Sequence, residues 1–145
     1  MSGPCSPSAA RKPGGAGAKL FGLPAYLKKE GRPHDAGKKT IALVYGVGGV
    51  VRGRSRTNPV TGGRTMGSES VAKAIRNAVA DDDVAAILFR VSSPGGSYVA
   101  SDTIWREVVL AGKAGKPVIV SMGEVAASGG YFVAIPASKI VAQPG

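Results

Sequence analysis

From residue 39 onward, apolar runs of strand length alternate with stretches of helical spacing, and this alternation is what most constrains the fold. "KKTIALVYGVGGVV" carries a β-branched apolar run between Lys and Gly, which predicts a buried strand at Thr40–Tyr45. "RGRSRTNPVTGGRT" follows as a basic loop with Asn-Pro and Gly-Gly breakers. "MGSESVAKAIRNAVADDD" then sets Val71, Ala74, Ile75, Ala78 and Val79 on one helical face, with Ser68 as the expected N-cap. A second strand is expected at Val84–Val91. A second helix carries Val99, Ile104, Val108 and Leu110, with Gly112 and Gly115 available to end it. A third strand at Pro117–Met122, a short helix in "YFVAIPAS" stopped by Pro136, and a fourth strand in "KIVAQPG" complete the pattern. The order β, α, β, α, β, α, β predicts an α/β fold with a largely parallel sheet.

In such folds ligands gather at the C-terminal ends of the strands. Two glycine-rich turns fall there: "SSPGGS" after the second strand and "EVAASGG" after the third. Acyl transfer needs a nucleophile, a base and N–H donors aimed at the developing oxyanion. Ser128, on a sharp strand-to-helix turn among small residues, fits the first need. Gly129 leaves its own N–H unshielded, and the "SPGG" turn on the neighbouring strand can present a second donor. Either turn alone is an ordinary turn or cap sequence; the pair, each after a strand, points to a site. The base is harder to find. His34, the one histidine, lies in "EGRPHDAGKK" before the first strand and reads as an exposed linker residue. A desolvated lysine could serve. Lys139 precedes an edge-like strand, and Lys113 and Lys116 flank a helix end, so none stands out.

The net charge of +10 raises nucleic acid or an anionic membrane as partners. Its distribution decides otherwise for the core: residues 1–64 hold 12 Lys and Arg against 2 acids, while residues 65–145 hold 7 of each sign. The basic character belongs to the N-terminal residues and one loop. It reads first as a solvated polar face, with contact to anionic lipid as the sharper reading. No nucleic-acid partner is expected. Residues 1–38 are rich in Gly, Pro, Lys and Arg and are expected to form a disordered or linker segment, with "LFGLPAYLKKEG" a short docking helix or turn. The single cysteine, Cys5, excludes an internal disulfide framework and a cysteine zinc site, and no metal or cofactor is expected. No run approaches ~20 apolar residues, and the first 20 residues lack a signal-peptide core.

"ILFRVSSPGGSYVASDTIWREV…GKPVIVSMGEVAASGGYFVAIPASKIVAQP" closely resembles the signal peptide peptidase, or protease IV, family. These are Ser/Lys-dyad serine peptidases with a Clp protease/crotonase-like α/β fold. The resemblance covers about residues 39–145, and the paired "SPGGS" and "AASGGY" blocks match in order and spacing. "AYLKKEGRPHDAGKKTIALVYGVGGVVRG" is similar to the link into the second half of the long, two-repeat form. The resemblance implies that Ser128 is the nucleophile and that Gly129 supplies one oxyanion N–H. The second donor comes from Gly95 or Gly96, with Gly96 favoured. It implies peptide substrates such as cleaved signal peptides, a homo-oligomer in the full-length protein, and association with a bacterial cell membrane through segments outside this chain.

The family's base lysine has no counterpart here, and neither has the Thr-Gly-Ser-Ile-Gly-like block that follows "VAQPG". The expectation is therefore a partial catalytic domain at 39–145, C-terminally incomplete, with little or no peptidase activity by itself. Three alternatives share the turns. A crotonase-like acyl-CoA enzyme would use a carboxylate, and Glu124 is the one nearby. A Clp-type protease would need His and Asp after the serine. An inactive truncated fragment or scaffold repeat would need no chemistry. Val125 and Tyr131 read as core residues before they read as a pocket for apolar peptide side chains.

Overall fold

The computed structural model describes residues 39–142. The expectations for residues 1–38, including His34 and Cys5, lie outside the described residues. The elements are β1 (Thr40–Val47), β2 (Gly49–Val51), β3 (Arg56–Thr57), β4 (Arg64–Gly67), α1 (Ser68–Ala80), β5 (Val84–Ser93), α2 (Tyr98–Lys113), β6 (Val118–Ala126), α3 (Gly129–Phe132) and β7 (Lys139–Val141).

Four strands form a wholly parallel sheet in the order β1-β5-β6-β7, so each new strand adds beside the last. Parallel neighbours need crossovers, and crossovers of one hand place their helices on one face. The burial pattern agrees. Ile87, Phe89 and Val91 of β5 and Val118 and Val120 of β6 point into a core closed by Val71 and Ile75 of α1 and Ile104 and Val108 of α2. An ion pair between Arg76 and Glu107 ties the two helices together. The alternate residues of β1, namely Ile41, Leu43 and Tyr45, are more than half exposed on the other face.

The expected strands and the two long helices are present, with differences at their ends; the short helix expected in "YFVAIPAS" is instead α3 at Gly129–Phe132, and turns fill the residues from Val133 to Pro136. Ser68 is the first residue of α1 and not its cap. Gly67 occupies the N-cap position, and no side chain caps the helix. Val99 and Leu110 are exposed, because α2 turns Ala100, Ile104, Val108 and Ala111 inward. Its N-cap is Ser97, whose side chain accepts from the Ala100 N–H. The segment expected as a basic loop contains a second, three-stranded sheet in the order β2-β4-β3. Its strands are two to four residues long, too short for the alternation of apolar residues to show. β5 and β6 both run farther than expected, to Ser93 and Ala126, and carry the chain up to the two glycine turns.

Candidate active site

Ser128 sits where β6 hands over to α3. It has φ 48° and ψ −122°, and it is the one non-glycine residue with positive φ among the described residues. These are the angles of the first central residue of a type II′ turn, a position that glycine normally fills. The turn is closed by Gly130 N–H donating to the Ala127 carbonyl at 2.8 Å. A serine held there stores on the order of 1–3 kcal/mol of strain, which the surrounding structure must impose. The side chain is solvent-exposed and makes no capping bond.

The neighbouring turn supplies that constraint. Gly95 has φ 99°, and a Cβ on it would lie 2.7 Å from Ser128 Cβ and 2.8 Å from Gly129 N. A Cβ on Gly96 would lie 2.3 Å from the Val50 carbonyl oxygen. A larger residue at Gly95 would push the two turns apart, and one at Gly96 would push the glycine turn off β2. The "SPGG" turn is in turn gripped by β2: Val50 N–H donates to the Gly95 carbonyl, and Ser97 N–H donates to the Val50 carbonyl. In this parallel bridge the residues on either side of Gly96 bond to Val50, so the Gly96 N–H faces away from it.

The N–H groups divide clearly. Gly95 N–H is engaged by Ser93 Oγ at 3.1 Å. Neither Gly96 N–H nor Gly129 N–H donates to any acceptor among the described residues. The two groups are close, since a Cβ on Gly129 would lie 3.4 Å from Gly96 N. The turns thus bring Ser128, Gly95, Gly96 and Gly129 together at one edge of the sheet.

Two buried serines that the sequence did not single out hold this arrangement. Ser93 orients Gly95 through its hydroxyl, and its carbonyl accepts from Ala127 N–H at 3.0 Å, joining one turn to the other. Ser101 is fully buried one helical turn after Ser97, and its Oγ donates to the Ser97 carbonyl. A Cβ on Gly129 would lie 2.4 Å from that oxygen. The available signal was a polar residue at a core position: Ser93 continues the buried alternation of β5, and Ser101 falls on the inward face of α2.

No lysine among the described residues lies at this edge on the strands. Lys116 precedes β6 and donates to the carbonyls of Asp81 and Val84. Lys39 precedes β1 and donates to the Asp82 carbonyl. The nine residues of β6 separate Lys116 from the serine turn, roughly 25–30 Å of strand. Arg106 has its pKa raised by a hydrogen bond from its guanidinium to Asp102, an exposed pair within α2. Val125 and Tyr131, expected in the core, are 40% and 50% exposed. Val125 lies near the C-terminal end of β6, and Tyr131 lies in the four-residue α3. Beside Tyr131, Phe132 makes ring contacts with Tyr98 and Trp105, so aromatic surface flanks the serine turn. Among the described residues no group of His, Cys, Asp or Glu could hold a metal ion, and no helix is long and apolar enough to cross a membrane.

Comparison with known proteins agrees with the sequence resemblance. Residues 111–145 match the model of Peptidase family S49. "Protease 4" of Salmonella typhi is 46% identical over 77% of this chain, and "Serine protease SPPA, chloroplastic" of Arabidopsis thaliana is 38% identical over 74%. The chain spans about a sixth of the length of these relatives, 17% and 15%. The fold is similar to that of a "1510-N membrane-bound stomatin-specific protease", at a TM-score of 0.52 and 18% identity over 74% of this chain and 45% of that one. By the curated relatives, and by the family model over residues 111–145, the chain belongs to peptidase family S49, the family of protease 4.

Proposed function

We propose that this chain carries the nucleophile and oxyanion half of a serine endopeptidase that cleaves peptides through an acyl-enzyme on Ser128. The observation that supports it most is the Ser128 backbone, held at φ 48° in a II′ turn with two unengaged N–H groups beside it. In this reading Ser128 Oγ attacks the scissile carbonyl carbon and its proton passes to a base. The carbonyl oxygen takes the negative charge and accepts from Gly129 N–H and Gly96 N–H. Gly95 lies in the same turn, but its N–H is already spent on Ser93. Collapse of the tetrahedral intermediate expels the amine, which takes the proton. Water then releases the acyl group by the same route.

The base lies outside the described residues, because the lysines within them serve other carbonyls or lie elsewhere on the surface. A Ser/Lys pair is the arrangement that the family resemblance favours. Residues 39–145 are then part of a catalytic domain, and residues 1–38 lead into it. Peptides from cleaved signal sequences are the substrates, and subunits assemble around the site. Association with a membrane, which the family resemblance implies, is part of the same reading. The crotonase-like alternative loses ground here, since Glu124 is an exposed residue of β6 and the turn favours a nucleophile.

The test is hydrolysis of a fluorogenic leader-derived peptide by the native protein isolated from its source cells, against its Ser128→Ala variant. Loss of at least about 10⁴-fold in kcat with peptide binding retained is expected. Hydrolysis by the variant at the parent rate would overturn the assignment.

A further inference from the structure

The β3–β4 hairpin takes no part in the acyl-transfer chemistry, yet the stretch from Arg52 to Arg64 carries the densest positive charge in the described residues. Arg52, Arg54, Arg56 and Arg64 are all exposed, and none forms an ion pair or side-chain hydrogen bond among the described residues. No Asp or Glu occurs between Asp35 and Glu69. Four cations without an ion pair among the described residues, on so short a stretch, repel one another, and an anionic surface relieves that repulsion.

The hairpin that presents them is firmly built. Asn58 Oδ1 accepts from the N–H groups of Val60 and Thr61, and Asn58 and Gly63 close the loop through the backbone. Its base is fastened to α1: Ser55 N–H donates to Ser70 Oγ, and Gly67 N–H donates to Ser55 Oγ. At the tip Val60 is 90% exposed, the largest exposure of any large apolar residue among the described residues. A shallow cavity at the base of the hairpin is lined by Tyr45, Ser55, Arg56, Thr57, Arg64 and Thr65. Arginine forks and hydroxyls are the groups that recognise a phosphate.

We infer that the β3–β4 hairpin is a docking surface for an anionic phospholipid membrane, with Arg54, Arg56 and Arg64 at the headgroup phosphates and Val60 entering the acyl boundary. The spacing suits this. Arg56 and Arg64 each lie four positions from Val60, at most roughly 13 Å along extended chain. That is comparable to the depth at which apolar groups of interfacial segments sit below the headgroups. An acidic peptide would satisfy the arginines but would leave Val60 without a role. The inference does not depend on the peptidase reading, and its test does not measure hydrolysis.

The test uses the full 145-residue chain with vesicles of phosphatidylcholine alone and of phosphatidylcholine mixed with phosphatidylglycerol. Each cation near an anionic surface strengthens binding by about fivefold, so the Arg54→Gln, Arg56→Gln, Arg64→Gln triple variant is expected to lose about 100-fold in partitioning to the mixed vesicles. The N-terminal basic residues are common to both proteins and leave this ratio unchanged. Added salt should shrink the difference. A second variant, Cys5→Ser with Val60→Cys, carries an environment-sensitive fluorophore at the tip. Its emission should shift to the blue on the mixed vesicles. Equal partitioning of the triple variant and its parent would overturn the inference, as would a probe that stays in water while the protein is bound. So would a triple variant that loses affinity for polyglutamate but not for vesicles, which would mark an acidic-peptide surface.

Discussion

The two ends of the parallel strands are built from opposite chemistry. At the C-terminal ends of β5 and β6 the chain supplies glycine turns, buried serine hydroxyls and free N–H groups around Ser128. At the N-terminal ends it supplies surplus carbonyls, and lysines answer them: Lys39 serves Asp82, and Lys116 serves Asp81 and Val84. The βα repeat dictates this split. Each helix starts at the C-terminal end of the strand before it, where N–H groups are left over. It ends at the other edge, where carbonyls are left over. One edge is suited to a developing oxyanion and the other to cations. The lysines therefore stabilise the fold where they stand, and on the proposed reading the base for Ser128 comes from outside the described residues.

The sharpest way to break this comparison is to disturb the crowded edge alone. Gly95→Ala places a Cβ against Ser128 Cβ and Gly129 N at a residue with φ 99°. The strain and the clash act together, and because both neighbours are fixed turns they have little room to move. A loss of at least about 3 kcal/mol in urea unfolding is expected. Where the variant folds in the complete enzyme, kcat should fall by about 10²–10³, the effect of a displaced oxyanion donor. A stable variant with unchanged kcat would show that the two turns do not constrain each other.

The strand and helix order was legible because long apolar periods survive without knowledge of their neighbours. Ile87, Phe89 and Val91, and Ile104 and Val108, sit in the core that their spacing predicted. The roles of Ser93 and Ser101 were not legible, because their spacing marks them as inward-facing but a serine's partner shows only once the neighbouring turn is placed. The β2-β4-β3 sheet was hidden for a related reason: its strands take their bonds from one another across the sequence and carry no pattern of their own. Val125 and Tyr131 were misread because apolar character alone says nothing about which helix covers a residue. At the glycine turns the sequence located the edge and the residues but not the backbone angle of Ser128, which comes from packing against Gly95.

At the other edge the expected effect is smaller and purely structural. Lys116→Met keeps the length of the side chain and removes its donors. The carbonyls of Asp81 and Val84 then lose a charged partner, with water able to replace part of it at this half-buried position. A destabilisation of about 1–2 kcal/mol in urea unfolding is expected. In the complete enzyme kcat should stay within about twofold, since no transition-state charge is in reach at this distance. A large fall in kcat with stability retained would place this lysine in the chemistry and undo the division between the edges.

The smallest effect separates strain from crowding at a single glycine. Gly115 ends α2 with φ 77°, in a Schellman pattern: its N–H donates to the Gly112 carbonyl, and Lys116 N–H donates to the Ala111 carbonyl. A Cβ there would meet nothing within 4 Å. Gly115→Ala therefore carries the left-handed backbone penalty and nothing else, about 1 kcal/mol. Gly95→Ala carries a comparable backbone penalty plus the clash with the serine turn. The difference between the two variants, measured in the same unfolding assay, isolates what the close approach of the turns contributes. Equal losses at the two positions would mean that the turns relax apart freely, and the strained angle of Ser128 would then need another source.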